Sequence, residues 1–190
     1  MLSFEKDIEQ ALAVLHRGGI ILYPTDTVWG IGCDATNEEA VARIYTLKKR
    51  ADEKAMIVLV ADERDILQYV AAPDLQVIDH LQQVSKPTTV IYEHGIGLAN
   101  NLLSADGSIG IRICKEDFCR NLIKRFRKPI VSTSANISGD PTARIFTEIS
   151  PAIRDGVDYV VNYRQDDDTI AAPSAVIKWN ADSTVTVMRP

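Results

Sequence analysis

Gly19-Ile20-Ile21-Leu22-Tyr23-Pro24-Thr25-Asp26-Thr27-Val28-Trp29-Gly30-Ile31-Gly32 sets how the rest of the chain is read. The apolar run at 20–23 has the length and composition of a buried strand. At Pro24 the pattern breaks. Two threonines, an aspartate, a proline and two glycines crowd the strand's carboxyl end. A core does not require that chemistry, whereas ligands collect outside the carboxyl ends of strands in open α/β sheets. Thr25 and Thr27 sit two apart and so share one face of an extended segment. Taken alone, the same residues suit a polar turn entered through Pro24 equally well.

Working outward, Ser3 is expected to cap a first helix with Ile8, Leu12 and Leu15 on its apolar face, stopped by Gly18-Gly19. Thr36 and Glu39 fit a capping box for a helix over 37–48. Met56 to Val60 reads as a buried strand. Asp62 caps a short helix, and Pro73 opens another that ends near Gln83. Strands follow at 88–92 and 108–113, a helix at 117–126, and a strand from Pro129 that runs straight into Ser132-Thr133-Ser134-Ala135-Asn136. Late strands are expected at 157–162, 174–178 and 184–188. Helices alternate with strands early and strands dominate the end, the pattern of an α/β fold with a mixed sheet. No repeat or linker divides the chain, so residues 1–190 are expected to form a single domain.

The chain is 46% hydrophobic, with 21 basic against 26 acidic residues and a net charge of -5. That balance argues against a protein whose whole surface clamps nucleic acid, and it leaves room for a local basic patch. Cys33, Cys114 and Cys119 form no CxxC pair and read as free thiols of a reducing compartment. Residues 1–19 are charged and amphipathic rather than signal-like, and no apolar run approaches the roughly 20 residues of a membrane span. A cytoplasmic protein is expected. His16, His80 and His94 lack ligand spacing, and Asp166-Asp167-Asp168 reads as a solvated acidic loop, so no metal site is expected.

Three further groups carry more polarity than their places require. Lys48-Lys49-Arg50 with Lys54 either complements a helix dipole or clamps phosphate. Ser132 to Thr142 packs hydroxyls, an amide, a glycine and a proline directly behind a strand. In Gly107-Ser108-Ile109-Gly110-Ile111-Arg112, an arginine mid-strand is costly to bury unless it pairs with an acid or grips a ligand carboxylate. Lys115, Arg120, Lys124, Arg125, Arg127 and Lys128 form a basic helix face, ordinarily solvated, that is also the best surface for RNA or a partner protein.

In order, Tyr23–Gly32, Lys48-x-Arg50, Ser108–Arg112, Thr133–Gly139 and the late Pro173-Ser174-Ala175-Val176 resemble the YrdC-type threonylcarbamoyl-AMP synthase family, short form, from about residue 9 to Arg189. The resemblance implies a twisted open sheet with flanking helices and a large, positively lined concave cavity. It implies an enzyme, a nucleotidyltransferase that makes threonylcarbamoyl-AMP and pyrophosphate from L-threonine, bicarbonate and ATP for tRNA modification. By position, Thr27, Arg112, Ser134 and Ser174 match threonine contacts. Lys48, Arg50, Lys54, Ser108, Asn136 and Arg189 match ATP contacts, with Lys48 and Arg50 also expected to be catalytic. Mg²⁺ is implied as a passenger on the ATP phosphates. The product implies a downstream threonylcarbamoyl-transfer protein, and direct contact with tRNA or double-stranded RNA is a further expectation; no membrane is implied. The chain departs from the family at Ala51 and Ala55, each in place of a proline, at Ser85-Lys86-Pro87, and at Arg144, where a nucleotide-binding hydroxyl is common. Two alternatives stand: a non-catalytic RNA-binding module, and a paralogue that adenylates a different carbamate. Backbone binding to RNA needs clustered Lys and Arg and makes no demand for Thr27, Ser134, Asn136 and Ser174 together.

Overall fold

The computed structural model describes residues 3–50 and 56–190. The elements run α1 (Glu5–His16), β1 (Ile21–Tyr23), β2 (Gly30–Gly32), α2 (Glu38–Lys48), β3 (Ile57–Val60), α3 (Glu63–Tyr69), α4 (Gln76–Gln83), β4 (Thr88–Tyr92), β5 (Ile109–Ile113), α5 (Asp117–Phe126), β6 (Ile130–Ser134), α6 (Pro151–Gly156), β7 (Tyr159–Val160), β8 (Ala175–Trp179) and β9 (Val185–Arg189). The strands form one mixed sheet in the order β7-β1-β2-β6-β3-β5-β4-β8-β9. The expected α/β class with a mixed sheet is what the chain adopts. Among the described residues, no helix is long and apolar enough to cross a membrane.

Side-chain direction follows the strand period. In β5, Arg112 and Gly110 share one face while Ile109 and Ile111 share the other. α1 and α5 pack together against the sheet; Ile8, Ala11, Val14 and Leu15 of α1 and Phe118, Cys119, Leu122, Ile123 and Phe126 of α5 are buried at helical spacing. Phe4 meets Phe118 edge-on at 5.8 Å between centroids.

Several local expectations are corrected. Ser3 does not cap α1; Phe4 holds the N-cap position without a side-chain bond. The Thr36–Glu39 box does not form either. Asn37 caps α2 by accepting from Ala40 N at 3.1 Å, while the Thr36 hydroxyl donates to Asp34 at 2.6 Å. Thr36 stands one residue before the cap, where its N–H and hydroxyl both donate to Asp34. Asp62 and Asp65 do form a capping box on α3. α4 starts at Gln76, three residues after Pro73. β7 covers only Tyr159–Val160, and β8 and β9 each lie a residue later than expected.

The larger surprise is β2. Gly30-Ile31-Gly32 is a strand, antiparallel to both β1 and β6. Its glycines have a packing reason. The Tyr23 side chain of β1 crosses β2, and its hydroxyl donates to Val131 O of β6 at 3.0 Å. A Cβ on Gly32 would stand 2.5 Å from Val131 O and 2.7 Å from the Tyr23 ring. The polar segment that breaks the strand pattern is therefore the tight connection of a hairpin, folded back into the sheet.

Candidate active site

A cleft of about 270 Å³ lies across one face of the sheet, lined by residues from β2, β3, β4, β5, β6, β8 and β9 and from the 25–29 turn. It sits on the sheet face rather than only beyond strand ends, because antiparallel neighbours bring carboxyl and amino ends together. Register aligns its floor. Arg112 of β5 is paired with Thr89 of β4, Thr89 with Val176 of β8, and Val176 with Arg189 of β9. All four line the cleft.

One wall is the 24–28 turn, and it braces itself. Thr25 Oγ1 accepts from Thr27 N at 3.0 Å and donates to Val28 O at 2.8 Å. From outside, Arg164 Nη1 donates to Thr25 O at 3.1 Å and the Cys119 thiol donates to Pro24 O at 3.1 Å. The turn then presents two groups to Arg112. Thr27 Oγ1 accepts from Nη2 at 3.2 Å, and Asp26 Oδ1 forms an ion pair with the same nitrogen at 3.1 Å. Arg112 is 4% exposed, and its Nε has no acceptor. Both roles open to a mid-strand arginine are thus represented: an acid pairs with it, and the residue lines the cleft.

The far wall is built from hydroxyls and a second arginine. Ser174 and Thr89 share a hydrogen bond of 2.9 Å, and Arg189 Nε donates to Ser174 O at 2.9 Å. Thr27, Arg50, Arg112, Ser134, Ser174 and Arg189, all singled out from the sequence, line this one cleft. Its described lining holds three arginines and no carboxylate. Burial lowers the Arg50 guanidinium from its ordinary value.

Lys48 is placed differently. It is 1% exposed, and its ammonium donates to Ser134 O and, at 2.7 Å, to Asn136 O. Burial, with a smaller push from Arg50, lowers it to about 8. It holds the 134–136 loop from beneath and is absent from the cleft lining, so a direct phosphate contact is corrected to a support. Ser108 also lies outside the lining; its backbone N–H donates to Asp106 at 3.0 Å. Lys54 lies outside the described residues. Asn136 lines a second cleft of about 600 Å³, with Ala135, Pro141, Arg144 and Ser150, and this cleft meets the first at Thr142. Asn136 Nδ2 donates to Ile137 O and Asp140 O, while its Oδ1 and the Ser150 hydroxyl are buried without partners. At Arg144, the guanidinium pairs with Glu148 at 3.0 Å on the rim.

The sequence did not point to Thr89 as part of this site, and it assigned no role to Asp26. Thr89 carried a signal: a buried hydroxyl in a run of β-branched residues needs a partner, and Ser174 is that partner. Burial pushes the Cys33 and Cys119 thiols up, so neither is primed as a nucleophile. Among the described residues, no group of three His, Cys, Asp or Glu is arranged to hold a metal.

Against known proteins, residues 13–190 match the sequence model of the Sua5/YciO/YrdC family, described as "Telomere recombination". A threonylcarbamoyl-AMP synthase of Xanthomonas campestris pv. campestris is 36% identical over 160 residues, covering 82% of this chain and 85% of that protein. One from Idiomarina loihiensis is 33% identical over 149 residues, covering 77% and 80%. Among solved structures, P. abyssi Sua5 complexed with L-threonine superimposes with a TM-score of 0.86 at 21% identity, over 98% of this chain. This chain spans about half of that longer protein, 54%. E. coli YciO superimposes with a TM-score of 0.82 at 24% identity, over 97% of this chain and 88% of its own. At these identities the structural likeness speaks for the fold.

Proposed function

This chain belongs to the Sua5/YciO/YrdC family, and from that premise we propose that it is an L-threonylcarbamoyladenylate synthase, joining L-threonine, bicarbonate and ATP with release of pyrophosphate. The observation that carries the proposal is the cleft itself. Three arginines and a ring of hydroxyls face one space with no carboxylate and no activated nucleophile. That set suits an amino acid carboxylate and a polyphosphate together, and a reaction that needs no covalent intermediate on the protein.

In this reading the threonine amine and bicarbonate form a carbamate with loss of water. A carbamate oxygen attacks the α-phosphorus of ATP, the bond from that phosphorus to the bridging oxygen breaks, and pyrophosphate leaves. Arg112 takes the threonine carboxylate, flanked by Thr27, Ser134 and Ser174. Arg50 and Arg189 face the phosphates and offset the charge that builds on the leaving group. The second cleft takes the nucleoside, with Asn136 in its lining. Lys48 shapes the loop between the two clefts. Catalysis then rests on positioning and fixed cations. The described lining offers no carboxylate to coordinate Mg²⁺, so the protein residues do not fit a resident magnesium, and a magnesium ion enters with the phosphates of its substrate.

We place residues 1–190 in one YrdC-like domain and the protein in the cytoplasm, where its three buried free thiols are stable. The adenylate is a labile mixed anhydride, so its consumer is a threonylcarbamoyl-transfer protein acting on tRNA.

Pyrophosphate release measured with ATP and bicarbonate, with and without L-threonine, tests the proposal. Release is expected to depend on threonine, and Arg112→Ala is expected to raise the KM for threonine about ten- to hundredfold, the scale of one charge-assisted contact, with the KM for ATP nearly unchanged. Release indifferent to threonine overturns the substrate. Tight RNA binding that survives Arg50→Ala and Asn136→Ala, in a wild type without turnover, would instead favour a binding module.

A further inference from the structure

Asp26 is left over by that chemistry. Its side chain is 11% exposed, it does not line the cleft, and its Oδ1 stands 3.1 Å from Arg112 Nη2 without hydrogen-bond geometry. A carboxylate placed there is not a substrate contact, and burying it carries a desolvation cost. We propose that Asp26 is the positioning residue for Arg112: its charge holds the guanidinium in the one orientation in which it lines the cleft and meets the incoming carboxylate.

Three observations converge on this role. First, the backbone of Arg112 is fixed by the sheet, but the backbone alone does not fix the guanidinium. β5 lies between β3 and β4, with Leu59 and Thr89 opposite Arg112, yet four side-chain torsions separate the guanidinium from that anchor. Second, both groups that meet the guanidinium come from one turn. Thr27 Oγ1 takes the Nη2 hydrogen at 3.2 Å, and Asp26 meets the same nitrogen from the adjacent residue. The turn is locked by Thr25, Arg164 and Cys119, so Asp26 cannot follow Arg112 if the guanidinium swings away. Third, Nε is buried without an acceptor. An unpaired donor on a buried cation is costly, and a guanidinium free to rotate would turn that hydrogen toward a protein acceptor. Asp26 and Thr27 together prevent it. The guanidinium is thus held in place against the turn, and its charge is balanced by Asp26.

This role rests on the assignment of the threonine carboxylate to Arg112, and two measurements separate the two ideas. The first needs no substrate. In ¹⁵N-edited NMR spectra, the Arg112 Nε–H of the wild type should give a sharp, slowly exchanging resonance that broadens or vanishes in Asp26→Asn. An unchanged resonance overturns the positioning role whatever the substrate is. The second is kinetic. Asp26→Asn should raise the KM for threonine about ten- to hundredfold while the KM for ATP stays within about twofold, and Asp26→Glu should recover part of the loss. An unchanged or tighter KM for threonine overturns the proposal, because it would mean that Asp26 merely competes with the ligand carboxylate. Equal losses for both substrates would mean general damage to the site and also overturn it. A wild type indifferent to threonine sinks the substrate assignment, and the NMR result still decides the role of Asp26. Should Asp26→Asn not fold, Asp26→Glu serves both measurements: a carboxylate displaced by one methylene should broaden the resonance and raise the threonine KM, and wild-type behaviour in both overturns the role.

Discussion

Lys48 is a cation with almost no surface of its own. Its ammonium meets two main-chain carbonyls, Ser134 O and Asn136 O, so what it stabilises is the shape of a loop. Lys48→Met keeps the stem's bulk and removes the donor. It should cost about 1–3 kcal/mol, mainly from Asn136 O, since Ser134 O keeps the Asn136 N–H at 2.9 Å, read as a shift in the urea midpoint at pH 7. The pH dependence has a definite sign. The folded value of about 8 lies below the ordinary 10.5, so between these values the unfolded chain binds more protons than the folded one. Stability from this group is therefore lowest below pH 8 and rises toward pH 10.5. The gap between wild type and Lys48→Met should widen from pH 7 to pH 10; a gap that narrows would mean that the charge itself holds the loop. At the residue scale, most of the cleft was legible in the sequence, because Thr27, Arg50, Arg112, Ser134, Ser174 and Arg189 stand in motifs richer in polarity than a turn or strand requires. Lys48 was misplaced because a lysine at a helix end looks the same in sequence whether it faces a ligand or a carbonyl. Asp26 stayed without a role because its partner lies 86 positions away, and only the pairing of β5 with its neighbours brings the two together.

Elements were legible in proportion to their length and pattern. α5 begins and ends at the expected residues, since Phe118, Leu122 and Phe126 repeat at helical spacing and Arg127 closes the helix in the left-handed region. β2 was not legible. Three residues, two of them glycine, carry neither alternation nor β-propensity, and the strand exists because β1 and β6 offer it two edges and Tyr23 needs the space above it. Gly32 therefore tests whether the hairpin is held by this crossing. In Gly32→Ala the new methyl would press on Val131 O, which is backbone and cannot yield cheaply, and on the Tyr23 ring. A loss of about 1–3 kcal/mol, as for other overpacked sites, is expected in urea unfolding. Because β2 carries the 25–29 turn, threonine use should fall with it. Stability equal to wild type would show that β2 can move aside and that Tyr23 is not its reason.

At the scale of the molecule, the site is tied to the N-terminus through one carboxylate. Asp7 of α1 is 6% exposed and accepts four hydrogen bonds: from Tyr159 Oη at 2.5 Å, from Asn162 N and Nδ2 at 3.0 Å each, and from Tyr163 N at 2.9 Å. The next residue, Arg164, reaches back to Thr25 O on the cleft wall. Helix, edge strand and substrate turn are thus linked in sequence, a connection that no local pattern in the chain announces. Burial alone would raise the Asp7 carboxyl, and the bonds from Tyr159, Asn162 and Tyr163 outweigh it, so the group lies below its ordinary 3.8. Its contribution to stability is therefore complete above pH 3.8 and is lost as pH falls through the lower folded value, where the folded carboxylate must accept a proton. Asp7→Asn cannot serve all four donors. It should cost about 1–3 kcal/mol at pH 7 and make the acid limb of unfolding shallower, so that the two proteins converge as pH drops below 3.8. Thermal melts from pH 7 down to acid conditions read both effects. If the two curves stay parallel, Asp7 acts by packing alone. If they converge while threonine-dependent turnover at pH 7 also falls in Asp7→Asn, the clasp at α1 is holding the cleft wall through Arg164.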